Sequence, residues 1–249
     1  MPTARAGTSR PRSAGWRPTW VTKRRTDITT RTLPAAVLWD MDGTLVDTEP
    51  LWIAAEKGLV ASYGGTWDDD MAHQLVGNPL LVSAQIIRDN SPVTLAPEQI
   101  VDYLLARVIE QMRQHLPWRP GAEQLLKACV AEGIPNALVT MSYRSFADVL
   151  IDALPAGTFS AAVTGDRVTH GKPDPEAYST AVRELGVDAA VCVAIEDSIP
   201  GVHAAVAAGV PTIAVPHIVQ VPPVDGAVQV HSLDGLTPGD LVAVTANAR

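Results

Sequence analysis

At 249 residues, 47% hydrophobic and 18% charged, the chain is long enough for one large domain, or for a core domain with a smaller one inserted, and reads as an ordinary soluble globular protein. Its most apolar stretch, residues 204–216, is shorter than the roughly 20 residues a membrane span needs and is broken by Gly209 and Pro211, so no transmembrane segment is implied. The formal charge of −8 is unevenly spread: residues 1–33 hold eight Lys/Arg and one acid, leaving 11 basic against 26 acidic residues beyond them.

That basic stretch comes first in chain order. It is rich in Pro, Ser, Thr and Gly, lacks a sustained period of 2 or 3.6, and is expected to be disordered. A plain tail or an over-long start, an organelle-type transit segment, and an arm for nucleic acid or an anionic surface are the readings open for it. Arg24-Arg25 has the look of a twin-arginine export signal, but no hydrophobic signal region with a small-residue cleavage site follows.

From residue 34 onward, short apolar runs alternate with helical patterns. Runs at residues 35–39, 136–140, 159–163, 190–195 and 211–215, with a weaker sixth at 226–230, predict strands buried on both faces. Helices are predicted over 121–132, 143–154, 175–185 and 198–208. Asp174 before Pro175 predicts a helix start, and Gly186 a left-handed stop. The alternation breaks over residues 51–118, where only amphipathic helical segments appear. The pattern predicts a doubly wound, Rossmann-like α/β core of residues 34–50 and 119–249 with a helical cap inserted over 51–118. Cys129 and Cys192 lack metal-ligand spacing and read as reduced core thiols, which favours a cytoplasmic setting.

In open parallel sheets the ligand lies at the carboxyl ends of the strands. Here the first run ends in Asp40 and Asp42, the second in Thr140 and Ser142, and the fourth in Glu196 and Asp197, while Lys172 lies in the loop HGKPDP. Clustered carboxylates raise one another's pKa unless a cation is present. Oxygen ligands without a histidine cluster point to Mg²⁺. A divalent metal beside a carboxylate, a lysine, a hydroxyl and loop amides is a site for a phosphoryl group. On this reading Asp40 attacks phosphorus to give an aspartyl-phosphate, and Asp42 protonates the leaving oxygen and later deprotonates water. Thr140, Lys172, Ser142 and Met41 hold the phosphate, and Gly43 permits the turn.

These segments resemble the motifs of the haloacid dehalogenase superfamily, in the branch with a helical cap between the first strand and the rest of the core. Asp40-x-Asp42-Gly43-Thr44 looks like its first motif, Thr140 its second, Lys172 in GKPDP its third and Glu196-Asp197-Ser198 its fourth, and the resemblance spans about residues 34–217. It implies a metal held by Asp40, the backbone carbonyl of Asp42, and Asp197, with Glu196 a ligand or a partner through water. The family's phosphatases and phosphomutases resemble this chain in keeping an aspartate at position 42. Its sugar phosphomutases resemble one another in carrying a cap arginine where Leu80 stands here, which disfavours mutase chemistry, although Arg107 or Arg113 could substitute. Ser198 reads as a helix cap and Trp52 as helix core; the histidines are assigned no metal. Asn78, in a Gly-Asn-Pro turn of the cap, and Arg144, after the second motif, are candidates for substrate selection.

The expectation is a Mg²⁺-dependent phosphatase acting on a small phosphorylated metabolite, as a monomer or weak homodimer. No membrane partner is expected, and nucleic acid would involve the tail alone. Two alternatives stand beside it: a phosphomutase of the β-phosphoglucomutase type, and a non-catalytic binding protein that keeps the fold.

Overall fold

The computed structural model describes residues 33–75 and 78–246; the basic segment, apart from Leu33, lies outside the described residues. All six expected strands form: β1 (Val37–Trp39), β2 (Asn136–Val139), β3 (Ala161–Val163), β4 (Val193–Glu196), β5 (Thr212–Ala214) and β6 (Ala227–Gln229). They build one sheet in the order β3-β2-β1-β4-β5-β6, with every neighbouring pair parallel. The chain winds from β1 outward to β3, then returns to place β4 on the other side of β1. This reversal opens a crevice beyond the carboxyl ends of β1 and β4. Asp40 follows β1 directly and Glu196 ends β4.

Alternate residues of the strands face opposite layers, as the period of 2 requires. One face carries Val37, Trp39, Leu138, Val193, Ile195 and Ile213, and packs on α5 (Ala122–Ala131), α6 (Arg144–Asp152) and α9 (Pro238–Thr245). The other carries Leu38, Ala137, Val139 and Ala194 against Ala177, Tyr178 and Ala181 of α7 (Glu176–Leu185) and Ala204 and Ala205 of α8 (Ile199–Ala207). Small residues on this second face let α7 and α8 lie close to the sheet. Asp174 and Gly186 bound α7 as expected: the Asp174 carboxylate accepts the Glu176 amide at 2.9 Å, and Gly186 is left-handed at φ +66°. Helix α9 was not foreseen, because its Pro-Gly start and valines read poorly as helix. Thr237 and Asp240 cap its first turn, the carboxylate taking the Thr237 amide at 2.8 Å, and Leu241 is fully buried.

Between β1 and α5 lie α1 (Glu49–Ser62), α2 (Asp69–His73), α3 (Leu80–Asn90) and α4 (Pro97–Gln114), with no strand among the described residues. Leu59, Ile87, Ile100, Leu104 and Val108 close their interior and belong to the same apolar cluster as the first sheet face. The link runs through α6, where Phe146 meets Trp52 of α1 edge-on at 5.7 Å. The segments that enter and leave this insertion pair with each other. Val46 bridges Trp118 in antiparallel sense; the Asp47 amide donates to Pro117 O at 2.7 Å, and the Arg119 amide to Leu45 O at 2.9 Å. Among the described residues no helix is long and apolar enough to cross a membrane.

Candidate active site

Beyond β1 the backbone folds back on itself: the Met41 carbonyl accepts the amides of Leu45 at 2.9 Å and Val46 at 3.1 Å. The turn needs Gly43 twice over, since its φ is +82° and a Cβ there would run into the Asp197 carboxylate. Asp40 and Asp42 therefore emerge beside the fourth motif. The Met41 side chain between them is fully buried, which leaves its backbone as the part that faces the loop.

Lys172 is the hub of the site. Its ammonium donates to Asp40 Oδ1 at 2.7 Å, Glu196 Oε1 at 2.5 Å and the Val139 carbonyl at 2.9 Å, so its three donors are matched. Its side chain is 5% exposed and lies over the Tyr178 ring at 5.2 Å. Glu196 is engaged on both oxygens. Oε1 also accepts the Tyr178 hydroxyl at 3.0 Å, and Oε2 accepts the amides of Asp197 and Ser198, each at 3.1 Å, and the Ser198 hydroxyl at 2.9 Å. Ser198 caps α8 as expected, accepting the Gly201 amide at 3.2 Å. A Cβ on Gly201 would overlap the Glu196 carboxylate. Gly201→Ala is thus expected to push Glu196 off Lys172 and lower kcat by about 10- to 100-fold, measured by steady-state kinetics on protein shown to be folded by its melting curve.

Asp42 is held differently, by hydroxyls. Thr48 donates to its Oδ1 at 2.7 Å and Ser142 to its Oδ2 at 2.7 Å, while Thr140 stands at 3.5 Å and takes the Ser142 amide at 3.0 Å. Thr48, at the start of α1, and Tyr178, on α7, were missed in the sequence. Each looks like an ordinary helix residue until the fold brings it to a carboxylate.

Three clustered carboxylates, the buried Asp40 and Glu196 and the half-buried Asp197, offer oxygens within 4.8 Å of one another, with one lysine among them. The imbalance shows in the electrostatics. Burial, then Glu196, pushes Asp40 up to about 7, against the pull of Lys172. Burial, then Asp40 and Glu196, pushes Asp197 up to about 8. Burial also raises Asp42, opposed by the bonds from Ser142 and Thr48. An all-oxygen set with surplus negative charge fits a hard divalent cation. A second group, His170, Asp174 and Glu176, is more open to solvent, and its Glu176 oxygens take the amides of Thr169 and His170.

A pH dependence follows. Asp40 and Asp197 bind protons more tightly in the folded chain than in the unfolded one, so their contribution to stability is full below about pH 4 and is lost as pH rises through 7 to 8. Glu56, pushed up to about 7 by burial despite its bond from Trp67 at 3.3 Å, acts in the same sense. Without metal, the melting temperature of a Glu56→Gln variant should still fall from pH 5 to pH 8, and Mg²⁺ should remove most of that fall. A melting temperature flat in pH without metal would contradict the charge imbalance.

The two softer candidates lie in local contacts. Arg144 pairs through Nε with Asp148 of its own helix at 2.6 Å, and the Asn78 side-chain amide donates to Gln74 O at 3.0 Å, as a turn former does. Leu80 is the first residue of α3. A cleft of about 470 Å³ opens between the insertion and the loop after β5, lined by Asp47, Glu49, Ile53, His73 and His217 among others.

The model of haloacid dehalogenase-like hydrolases matches residues 34–209. Hexitol phosphatase B of Escherichia coli is 30% identical over 190 residues, 73% of this chain and 83% of that protein. The bifunctional riboflavin kinase/FMN phosphatase of Arabidopsis thaliana is 31% identical over 188 residues, 75% of this chain and 49% of that one, so the chain spans about half that relative's length. The crystal structure of CbbY from Rhodobacter sphaeroides in complex with phosphate superposes with a TM-score of 0.73 at 28% identity, covering 84% of this chain and 99% of CbbY. With the parallel sheet, the interrupting helices and the carboxylate-lysine cluster in place, the chain belongs to the haloacid dehalogenase-like hydrolase family, as a phosphoric monoester hydrolase of its phosphatase branch.

Proposed function

We propose that this chain is a Mg²⁺-dependent phosphatase of small phosphorylated metabolites of sugar type, acting through an aspartyl-phosphate on Asp40. The observation that carries the reading is the pairing of Asp40 with Lys172 at 2.7 Å, two residues from an Asp42 held by hydroxyls on both oxygens. Asp40, Asp197 and the Asp42 backbone would hold Mg²⁺. Glu196, already engaged on both oxygens, would serve it through a water. When bound, the cation offsets the carboxylates' charge and that of the phosphate oxygens.

An Asp40 oxygen attacks phosphorus, the bond from phosphorus to the ester oxygen breaks, and the electron pair leaves with that oxygen. Asp42, whose affinity for its proton is raised by burial, delivers the proton to it. Water then attacks the phosphorus, Asp42 takes its proton, and the bond to Asp40 breaks to release phosphate. Thr140, Ser142, Lys172 and the Met41 backbone hold the phosphoryl oxygens meanwhile. The helices of residues 51–118 act as a cap that excludes bulk water and selects the substrate. The sugar type is supported by the hexitol phosphatase relative.

The test is phosphate release from a panel of hexitol, hexose and pentose phosphates with Mg²⁺, with β-glucose 1-phosphate assayed with and without glucose 1,6-bisphosphate. Mg²⁺-dependent release from the sugar phosphates is expected. Bisphosphate-dependent formation of glucose 6-phosphate without release would replace this reading with the mutase. Thr48→Val should lower kcat by about 10-fold, because Asp42 loses one of its two short hydroxyl bonds; an unchanged pH profile and kcat would show that the bond is idle.

A further inference from the structure

The paired segments at the base of the insertion carry a charge arrangement that the hydrolytic steps do not use. Residues Asp47 and Arg119 lie diagonally across the two-stranded connection, on the face opposite Val46 and Trp118. Side chains at such diagonal positions come within reach of each other when one of them is long. Yet Asp47 Oδ1 and Arg119 Nε are both buried with no hydrogen-bond partner among the described residues. The other Asp47 oxygen lies 3.4 Å from His217 Nε2, on the loop after β5. Burial lowers the Arg119 pKa against the pull of Asp47 and Asp197, so the guanidinium sits in the field of both carboxylates.

The two unmet atoms lie out of solvent on side chains that are otherwise half-buried, and an unmet donor and acceptor of opposite charge at diagonal positions favour a movement that joins them, since each costs free energy while unmet. The connection on which they sit is where the insertion meets the sheet. We propose that Arg119 is a positioning residue of this site, pairing its guanidinium with Asp47 when the helical insertion closes over bound substrate. The pair stiffens the connection in the closed form and leaves the open form unaffected. This rests on the phosphatase reading above and adds to it the residues that bias closure.

The experiment compares Arg119→Gln, Asp47→Asn, the double variant and Arg119→Lys with the wild type, using the best sugar phosphate of the panel. Each single variant should lower kcat/KM about 10-fold, the double variant no further, and Arg119→Lys should recover most of the loss. The melting temperature without substrate should stay at the wild-type value, whereas the shift produced by beryllium fluoride with Mg²⁺ should shrink. Losses that multiply in the double variant would overturn the pairing. So would a fall in the substrate-free melting temperature, which would mean that the groups are already joined, directly or by water, before closure. If a single variant does not fold, the charge-exchanged Asp47→Arg/Arg119→Asp protein reads the same pair, and a kcat/KM below about a tenth of wild type counts against it. Wild-type turnover retained by Asp40→Asn would remove the phosphatase reading itself. Asp40-dependent turnover with unaffected Arg119 variants would remove the pairing alone.

Discussion

Replacing Asp40 by asparagine is expected to lower turnover by roughly 10⁴-fold or more, because the amide is nearly isosteric with the carboxylate but is no nucleophile toward phosphorus. The loss should not come from unfolding. Asp40 is one of three clustered carboxylates served by one lysine, and its pKa, pushed up to about 7 by burial and Glu196, marks its charge as unfavourable without metal. The asparagine oxygen can still accept from Lys172. Metal-free Asp40→Asn should therefore melt at or above the wild-type temperature, while the stabilisation given by Mg²⁺ should shrink with the loss of one ligand. Phosphate release and thermal melts with and without Mg²⁺ read both effects. Wild-type turnover in this variant would exclude Asp40 as the attacking group.

Lys172→Met should fail in both respects. The ammonium joins Asp40 and Glu196 at 2.7 Å and 2.5 Å with its side chain 5% exposed, so its removal leaves two carboxylates buried beside each other. Breaking such an arrangement from one side costs about 3–5 kcal/mol. Turnover should fall by about 10³-fold or more, since the phosphoryl oxygens lose their cation. Lys172→Arg should not restore it: three acceptors converge on one nitrogen, from two side chains and the Val139 carbonyl, a geometry that a planar fork does not match. Urea denaturation and kcat measure the two losses, and a methionine variant with wild-type stability would refute the account of the cluster. Mg²⁺ should reduce the stability loss by occupying the carboxylates, while restoring little activity.

Much of this architecture was legible in the sequence because the inner strands β1, β2, β4 and β5 are buried on both faces; the edge strands β3 and β6, expected to be as deeply covered, are only partly buried because each has a neighbour on one side alone. Strands such as Val193–Glu196 are apolar almost throughout and stop where the carboxylates begin, and in a parallel sheet those stops share one edge. That is why Asp40, Thr140, Lys172 and Glu196, scattered over more than 150 residues, could be read as one site. The residues that orient them were not legible. Tyr178 and Thr48 sit on helices with local reasons to exist, and only tertiary packing puts their hydroxyls on Glu196 and Asp42. Gly201 reads as one more residue of a helix start, and its need to lack a side chain appears only once the Glu196 carboxylate is seen where its Cβ would lie. Arg144 follows the second motif, where a cation suits a substrate anion, while its partner Asp148, one helical turn on, offers it a local ion pair of small energetic worth. Helix α9 fell below the propensity signal and rests on its cap and on Leu241.

The neighbouring positions of Val46 and Trp118 have an evolutionary consequence. Because the two ends of the insertion are joined by backbone bonds at its base, the sheet sees a closed loop there whatever lies beyond, and the entropic cost of lengthening or exchanging such a loop grows only slowly with its length. The phosphate-handling edge can then be inherited unchanged while the helices above it are traded for others with different preferences. One constraint travels with the exchange: the underside of any replacement must cover the ring of Phe146, which Trp52 now shields, or α6 must become more polar at the same time.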